Sequence, residues 1–223
     1  MTVAERNFER SPARIEPPAP GENLFLSNVS WESYEALGAA VGDRPIHLTF
    51  DRGRLEIIAP TAAHERPKCL LRQLVGVLTE ELSLPATSLG STTYKRKDLE
   101  RGLEPDECWY IASLAKVRGK KRLDLKRDPP PDLAIEVDVT HSSLDRTSIY
   151  AALGVPELWR FDGDALTIHR LSGKGRYEPV KVSPTFPQVS PAELAKFVRL
   201  GVKQDATTMV RAFRKRLRQL LGI

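Results

Sequence analysis

The sequence predicts an α/β (α+β) fold, a sheet with helices packed on it, and three observations predict it. A chain of 223 residues with 41% hydrophobic and 28% charged side chains is long enough for one sizeable core and is ordinarily globular in composition. Apolar residues recur at helical spacing between Pro67 and Leu82, and at strand spacing from Asp132 to Val139. In chain order the segments read hairpin, helix, three strands, helix, hairpin, helix, a sequence that suits helices layered on a sheet.

Residues 1–22 carry prolines at 12, 17, 18 and 20 and few large apolar side chains, the composition of a flexible lead-in. Residues 23–223 are expected to form a single domain with its core at about 60–175. Ser30 is placed to cap a short helix through Ala39. Ile46–Phe50 and Leu55–Ile58 flank the turn Asp51-Arg52-Gly53 as an N-terminal hairpin. Leu70, Leu71, Leu74, Val75, Leu78 and Leu82 step by three and four. Because proline belongs in a first turn, Pro67 sets that helix's start at about 63–66, with His64 and Glu65 at its head. Extended runs follow at Ala86–Arg96, Glu107–Ala112 and Asp132–Val139. Between the last two lies a long basic loop closed by three prolines. A short helix from about Leu144 ends at Leu153-Gly154, where glycine and then Pro156 stop it. Glu157–Phe161 and Ala165–Leu171 form a second hairpin about Asp162-Gly163. From Asp205 to Leu221, Met209, Val210, Phe213, Leu217, Leu220 and Leu221 make one apolar stripe of a C-terminal amphipathic helix.

Two cysteines, Cys69 and Cys108, are too few for a disulfide framework and lack metal-type spacing, which fits a reducing cytoplasm. The amino terminus has no apolar stretch of signal-peptide kind, and no run of about 18 apolar residues spans a membrane. A net charge of +5 from 34 basic and 29 acidic residues points to a polyanionic partner only weakly. The placement of those charges carries more.

Along Asp132–Val139 the residues Leu133, Ile135, Val137 and Val139 share one face, and Asp132, Ala134, Glu136 and Asp138 the other. Neighbouring carboxylates repel by about 1 kcal/mol in water and roughly 4 kcal/mol at an effective dielectric near 20. A divalent cation relieves that repulsion, since Mg²⁺ takes oxygen ligands, commonly one or two carboxylates plus waters. The alternative is the solvated polar face of a half-exposed strand. Glu104-Pro105-Asp106 opens the preceding strand, where pairing would bring Asp106 beside Glu136. The loop holds Lys116, Arg118, Lys120, Lys121, Arg122, Lys126 and Arg127, expected as a basic rim next to the acids, with Lys120, Lys121 and Arg122 as phosphate contacts. A solvated loop is the plainer reading of the same charges.

Three ordered segments carry a family resemblance: Arg101–Ile111 with Pro105-Asp106, Pro130–Val137 with Glu136, and Tyr150–Trp159. Together they resemble the Uma-two family of restriction-endonuclease-like proteins, within the PD-(D/E)xK nuclease superfamily, over roughly residues 30–175. The resemblance implies a restriction-endonuclease-like core, a central mixed sheet flanked by helices with divalent metal at the strand ends. It implies Asp106 and Glu136 as metal ligands, Asp132 as a third acid and Glu65 as the acid at the head of the first core helix. At the position two after Glu136, where the superfamily pattern has lysine, stands Asp138. Arg146 on the following helix matches a substitute cation, which binds phosphate but is no neutral base. Lys95 and Lys97 are further sources of positive charge.

The resulting expectation is an endonuclease that hydrolyses DNA phosphodiester bonds with Mg²⁺ or Mn²⁺, in a homodimer if two copies cut the two strands. The alternative, raised by Asp138, is a catalytically inactive nuclease-like module that binds nucleic acid or regulates. A third is a scaffold needing neither metal nor DNA. His47, His169, Trp109, Trp159, Cys69 and Cys108 read as structural, His141, Ser142 and Ser143 as loop, and Met209 and Phe213 as core or dimer contacts.

Overall fold

A computed structural model describes residues 18–19, 21–42, 44–138 and 144–223. Its elements are β1 (Asn23–Leu26), α1 (Trp31–Val41), β2 (His47–Asp51), β3 (Arg54–Ile58), α2 (Ala62–Glu81), β4 (Thr87–Ser88), β5 (Tyr94–Arg96), β6 (Arg101–Leu103), β7 (Glu107–Tyr110), α3 (Leu114–Val117), β8 (Leu133–Val137), α4 (Arg146–Leu153), β9 (Glu157–Phe161), β10 (Leu166–Leu171), β11 (Tyr177–Val180), α5 (Pro191–Lys203) and α6 (Ala206–Leu221).

The strands form two sheets. One is antiparallel, in the order β1-β3-β2-β6-β5, and the other has the order β11-β10-β9-β8-β7-β4. The second is mixed, because β8 and β9 run parallel while the other pairs are antiparallel. A parallel pair needs a crossover, and α4 supplies it. The expected N-terminal hairpin, β2 and β3, is therefore the middle of a second sheet. The single extended run expected at Ala86–Arg96 is two short strands in different sheets, because the chain turns at Gly90, whose φ of 55° suits glycine.

Every residue of β8 is buried. Leu133, Ile135 and Val137 face a core shared with α2, α5 and α6, including Leu74, Leu78, Phe197, Met209 and Phe213. On the other face Ala134 belongs to a second cluster with Tyr94, Leu103, Ile149 and Tyr150, so α4 lies between the sheets. This removes the half-exposed strand as an explanation for Glu136, while Asp132 and Asp138, which flank β8, are partly exposed. Met209 and Phe213 are core residues, Phe213 meeting Phe197 edge-on at 5.0 Å. The basic side of α6 is largely spent on neighbours: Arg214 pairs with Glu80 and Glu81, Arg218 with Glu81, and Arg216 with Glu193.

Two helix starts position the candidate site. Thr61 caps α2 by accepting from the His64 amide at 3.3 Å. The helix begins at Ala62, slightly earlier than Pro67 implied, and the proline is its sixth residue. Asp145 caps α4 through the Ser148 amide at 3.2 Å, which sets Arg146 in the first turn. Gly154, with φ 81°, ends that helix. Of the lead-in expected at 1–22, residues 1–17 and 20 lie outside the described residues; Gly21 donates to the Ala59 carbonyl at 2.9 Å. Cys108 is buried as expected, whereas Cys69 is exposed on α2. Among the described residues no helix is long and apolar enough to cross a membrane.

Candidate active site

Strands β7 and β8 pair antiparallel with Glu107 opposite Ile135. One step further along that register Asp106 stands opposite Glu136, at the end of the strands where α2 and α4 begin. Asp106 Oδ2 accepts from the Val137 amide at 2.7 Å and from His64 Nε2 at 3.0 Å, with the proton on Nε2 assigned from that bond. Among the described residues Oδ1 has no hydrogen-bond partner. Glu136 is held by α4: Arg146 Nε donates to Oε2 at 2.7 Å, Nη2 donates to Oε1 at 2.8 Å, and the Tyr150 hydroxyl donates to Oε1. Arg146 also reaches the other sheet, donating to Thr49 Oγ1 at 2.5 Å and to the Glu104 carbonyl at 2.7 Å. His47, His64, Asp106, Glu136, Asp138 and Arg146 line one pocket.

The electrostatics follow from burial and partners. Burial alone would raise the Asp106 carboxyl, but the hydrogen bond and charge of His64, with Arg146 and the Val137 amide, hold it below its ordinary value. Burial pushes Glu136 up, to about 7, against the lowering pull of Arg146 and with Asp106 adding to the rise. A forked pair with an obligate cation is charge-assisted at both oxygens. His64 is raised, since burial is outweighed by Asp106 and Glu65. Its contribution to stability is complete at low pH and is lost as pH rises through its folded value. Its Nδ1 stands 3.4 Å from Glu65 Oε1, too long for a well-formed hydrogen bond.

His47 is the opposite case. Burial lowers its imidazole from 6.5 to about 4, with Asp106 opposing. The unfolded chain takes up that proton as pH falls below 6.5 and the folded chain does not until about 4, so stability drops across this window. Replacing His47 by asparagine is expected to flatten the fall of Tm between these values in thermal unfolding. An unchanged pH profile would count against the burial assigned to it.

The other expected site residues lie elsewhere. Asp132 immediately precedes β8 while Glu136 nears its end, four residues or roughly 13 Å along a strand. Its Oδ2 is taken by the Ile111 amide and by the amide and hydroxyl of Ser113 at 2.6–3.0 Å. Expected as the third acid of the centre, it holds the loop after β7 instead of standing with Asp106 and Glu136. Both oxygens of Glu65 are on Lys68 at 2.9 and 3.1 Å, which leaves Glu65 at the rim. Lys95 pairs with Glu35 and Lys97 with Glu32 on α1, away from the pocket. Asp138 lines the pocket, tied to Arg160 at 2.8 Å. The basic loop leaves the end of β7 opposite to Asp106, so it does not rim the acids. Lys120 and Lys121 are exposed there, and Arg122 lines a separate groove with Tyr34, Glu35, Lys95 and Glu104. His141, Ser142 and Ser143 lie outside the described residues. Sequence reasoning missed His47 and Thr49, which alternate with Leu48 and Phe50 to give β2 a polar face, and Tyr150, one helical turn after Arg146.

Among the described residues no three His, Cys, Asp or Glu side chains are grouped to hold a metal ion. Two carboxylates converge instead, one with an oxygen that has no partner among the described residues. That donor set fits a hard cation that binds through one or two carboxylates and keeps its water, as Mg²⁺ does. It does not fit a structural zinc site, which needs four protein ligands.

No curated protein matches the chain. A solved structure from Anabaena variabilis ATCC 29413, described as “a putative nuclease belonging to DUF820”, is similar at 15% identity and a TM-score of 0.47, covering 68% of this chain and 90% of that one. The model of the Uma-two (Uma2) family, described as “Putative restriction endonuclease”, matches residues 31–203. That span is about three quarters of the sequence and holds Asp106, Glu136, Arg146 and Tyr150, so the chain belongs to the Uma-two family of restriction-endonuclease-like proteins.

Proposed function

We propose that the pocket is the active site of an endonuclease hydrolysing DNA phosphodiester bonds with Mg²⁺ or Mn²⁺ held by Asp106 and Glu136. The observation that carries this reading is the β7–β8 register, which sets the two carboxylates opposite each other at one end of the sheet. When bound, such a cation supplies an activated water at neutral pH and neutralises charge on the phosphate. The residues divide the remaining work. Asp106 presents Oδ1 while Val137 and His64 fix its other oxygen. His64 is a positioning residue for Asp106. Arg146 has one Nη1 proton beyond its bonds to Glu136, Thr49 and Glu104, and it contributes a fixed positive charge where phosphate charge builds up. The amino-terminal end of α2, at the pocket wall, adds a favourable dipole for an anion. Two copies would be the simplest way to cut both strands.

Supercoiled plasmid incubated with Mg²⁺ tests the reading. Wild type is expected to nick or linearise it, and chelator or Glu136→Ala to stop that. Cleavage indifferent to both would sink the mechanism.

The closed Glu136–Arg146 pair favours a second reading, an inactive nucleic-acid-binding or regulatory module. It predicts duplex binding by the wild type without strand breakage under any of these conditions.

In both readings Lys120, Lys121 and Arg122 would touch flanking duplex, because they are exposed on the loop that follows β7. Replacing all three by alanine is expected to reduce the slope of log affinity against log salt by about one for each phosphate no longer neutralised. Cleavage at saturating DNA should stay at the wild-type rate. An unchanged slope in fluorescence anisotropy would remove this loop from the interface.

A further inference from the structure

Glu136 and Asp106 are unequally available to a cation. Asp106 keeps Oδ1 without a partner among the described residues, whereas both oxygens of Glu136 accept from a single guanidinium, at 2.7 and 2.8 Å, and Oε1 also accepts from Tyr150. The guanidinium is not an arm free to swing aside. Its side chain is 11% exposed, and it is anchored from behind by Thr49 Oγ1 on the five-stranded sheet and by the Glu104 carbonyl. A fixed positive charge thus already balances one of the two acids.

We propose that Arg146 is a built-in competitor for the divalent cation: it occupies Glu136 in the metal-free chain, so a cation binds the Asp106–Glu136 pair only by sharing or displacing that fork. The inference rests on the reading of these carboxylates as the metal site. Two physical effects act together. A metal ligand must offer a lone pair, and charge-assisted bonds to Glu136 are among the stronger hydrogen bonds a protein makes. A divalent ion beside Arg146 also meets like charge in a buried setting where water screens it poorly. Both effects weaken binding, and both vanish when the guanidinium is removed. The site is then matched to millimolar Mg²⁺ rather than to tight retention, and the same residue that restrains the metal supplies positive charge to the phosphate.

The test is calorimetric titration of the full chain with Mn²⁺, without nucleic acid, so that binding is read apart from cleavage. Arg146→Gln is expected to bind Mn²⁺ at least about tenfold more tightly than wild type. Mn²⁺ should also raise the Tm of Arg146→Gln more than that of wild type, because the ion replaces the missing charge. The heat should vanish when Glu136→Gln is added. Equal or weaker binding by a folded Arg146→Gln overturns the proposal. If that variant does not fold, Arg146→Lys decides, since lysine keeps the charge but cannot make the fork. A several-fold tightening supports the competition, and unchanged affinity overturns it. Absence of Glu136-dependent Mn²⁺ binding in wild type and variants alike would mean that the metal site itself is wrong, a different result from a site that binds metal without competition.

Discussion

Asp106→Asn is expected to lower plasmid cleavage about 10³-fold while leaving the fold intact. The asparagine oxygen can still accept from the Val137 amide, so the strand end keeps its geometry, but the negative charge at the pocket is gone. A metal-activated nucleophile contributes several kcal/mol, and each 1.36 kcal/mol is a factor of ten in rate. Initial rates at saturating Mg²⁺, with thermal unfolding as the control, check this. A loss below about tenfold would mean that Asp106 is only a partner for His64.

The second large effect is on stability. Arg146→Ala removes one member of a buried ion pair whose side chains are 11% and 6% exposed, leaving Glu136 buried against Tyr150 with no counter-charge. Breaking such a pair from one side costs about 3–5 kcal/mol, whereas replacing both members by apolar residues of similar volume is often close to neutral. Urea unfolding of Arg146→Ala should show that loss, and the double variant Arg146→Met with Glu136→Leu should recover most of it. A loss under about 1 kcal/mol in the single variant would show that water reaches the pair.

Much of the site is legible in the sequence because β8 announces itself. Its alternation separates Leu133, Ile135 and Val137 from Ala134 and Glu136, and the segments around Asp106, Glu136 and Tyr150 carry the family resemblance. Alternation gives the face of a strand but not the end at which a site forms, which is why Asp132 groups with Glu136 on sequence alone. Chain direction settles the basic loop. Asp106 precedes β7 and the loop follows it, so the two lie at opposite ends of that strand. His47 and Thr49 could be recognised as a polar face but not as neighbours of Glu136, because only the stacking of a second sheet against α4 brings them there. Helix α5 does leave a local signal: Ser190, three residues before Glu193 and followed by Pro191, is cap chemistry, and the Ser190 side chain accepts from the Glu193 amide at 3.2 Å.

The central claim is that Asp106 and Glu136 act as one metal-holding unit, and a double-variant cycle in cleavage rate tests it most directly. Asp106→Asn, Glu136→Gln and the two together are each assayed with Mg²⁺ on the same plasmid. If both carboxylates hold one ion, removing either removes the ion's contribution, and the double variant should be about as slow as the slower single variant. Losses that multiply would contradict this, because they would mean two independent contributions from residues that do not share a metal.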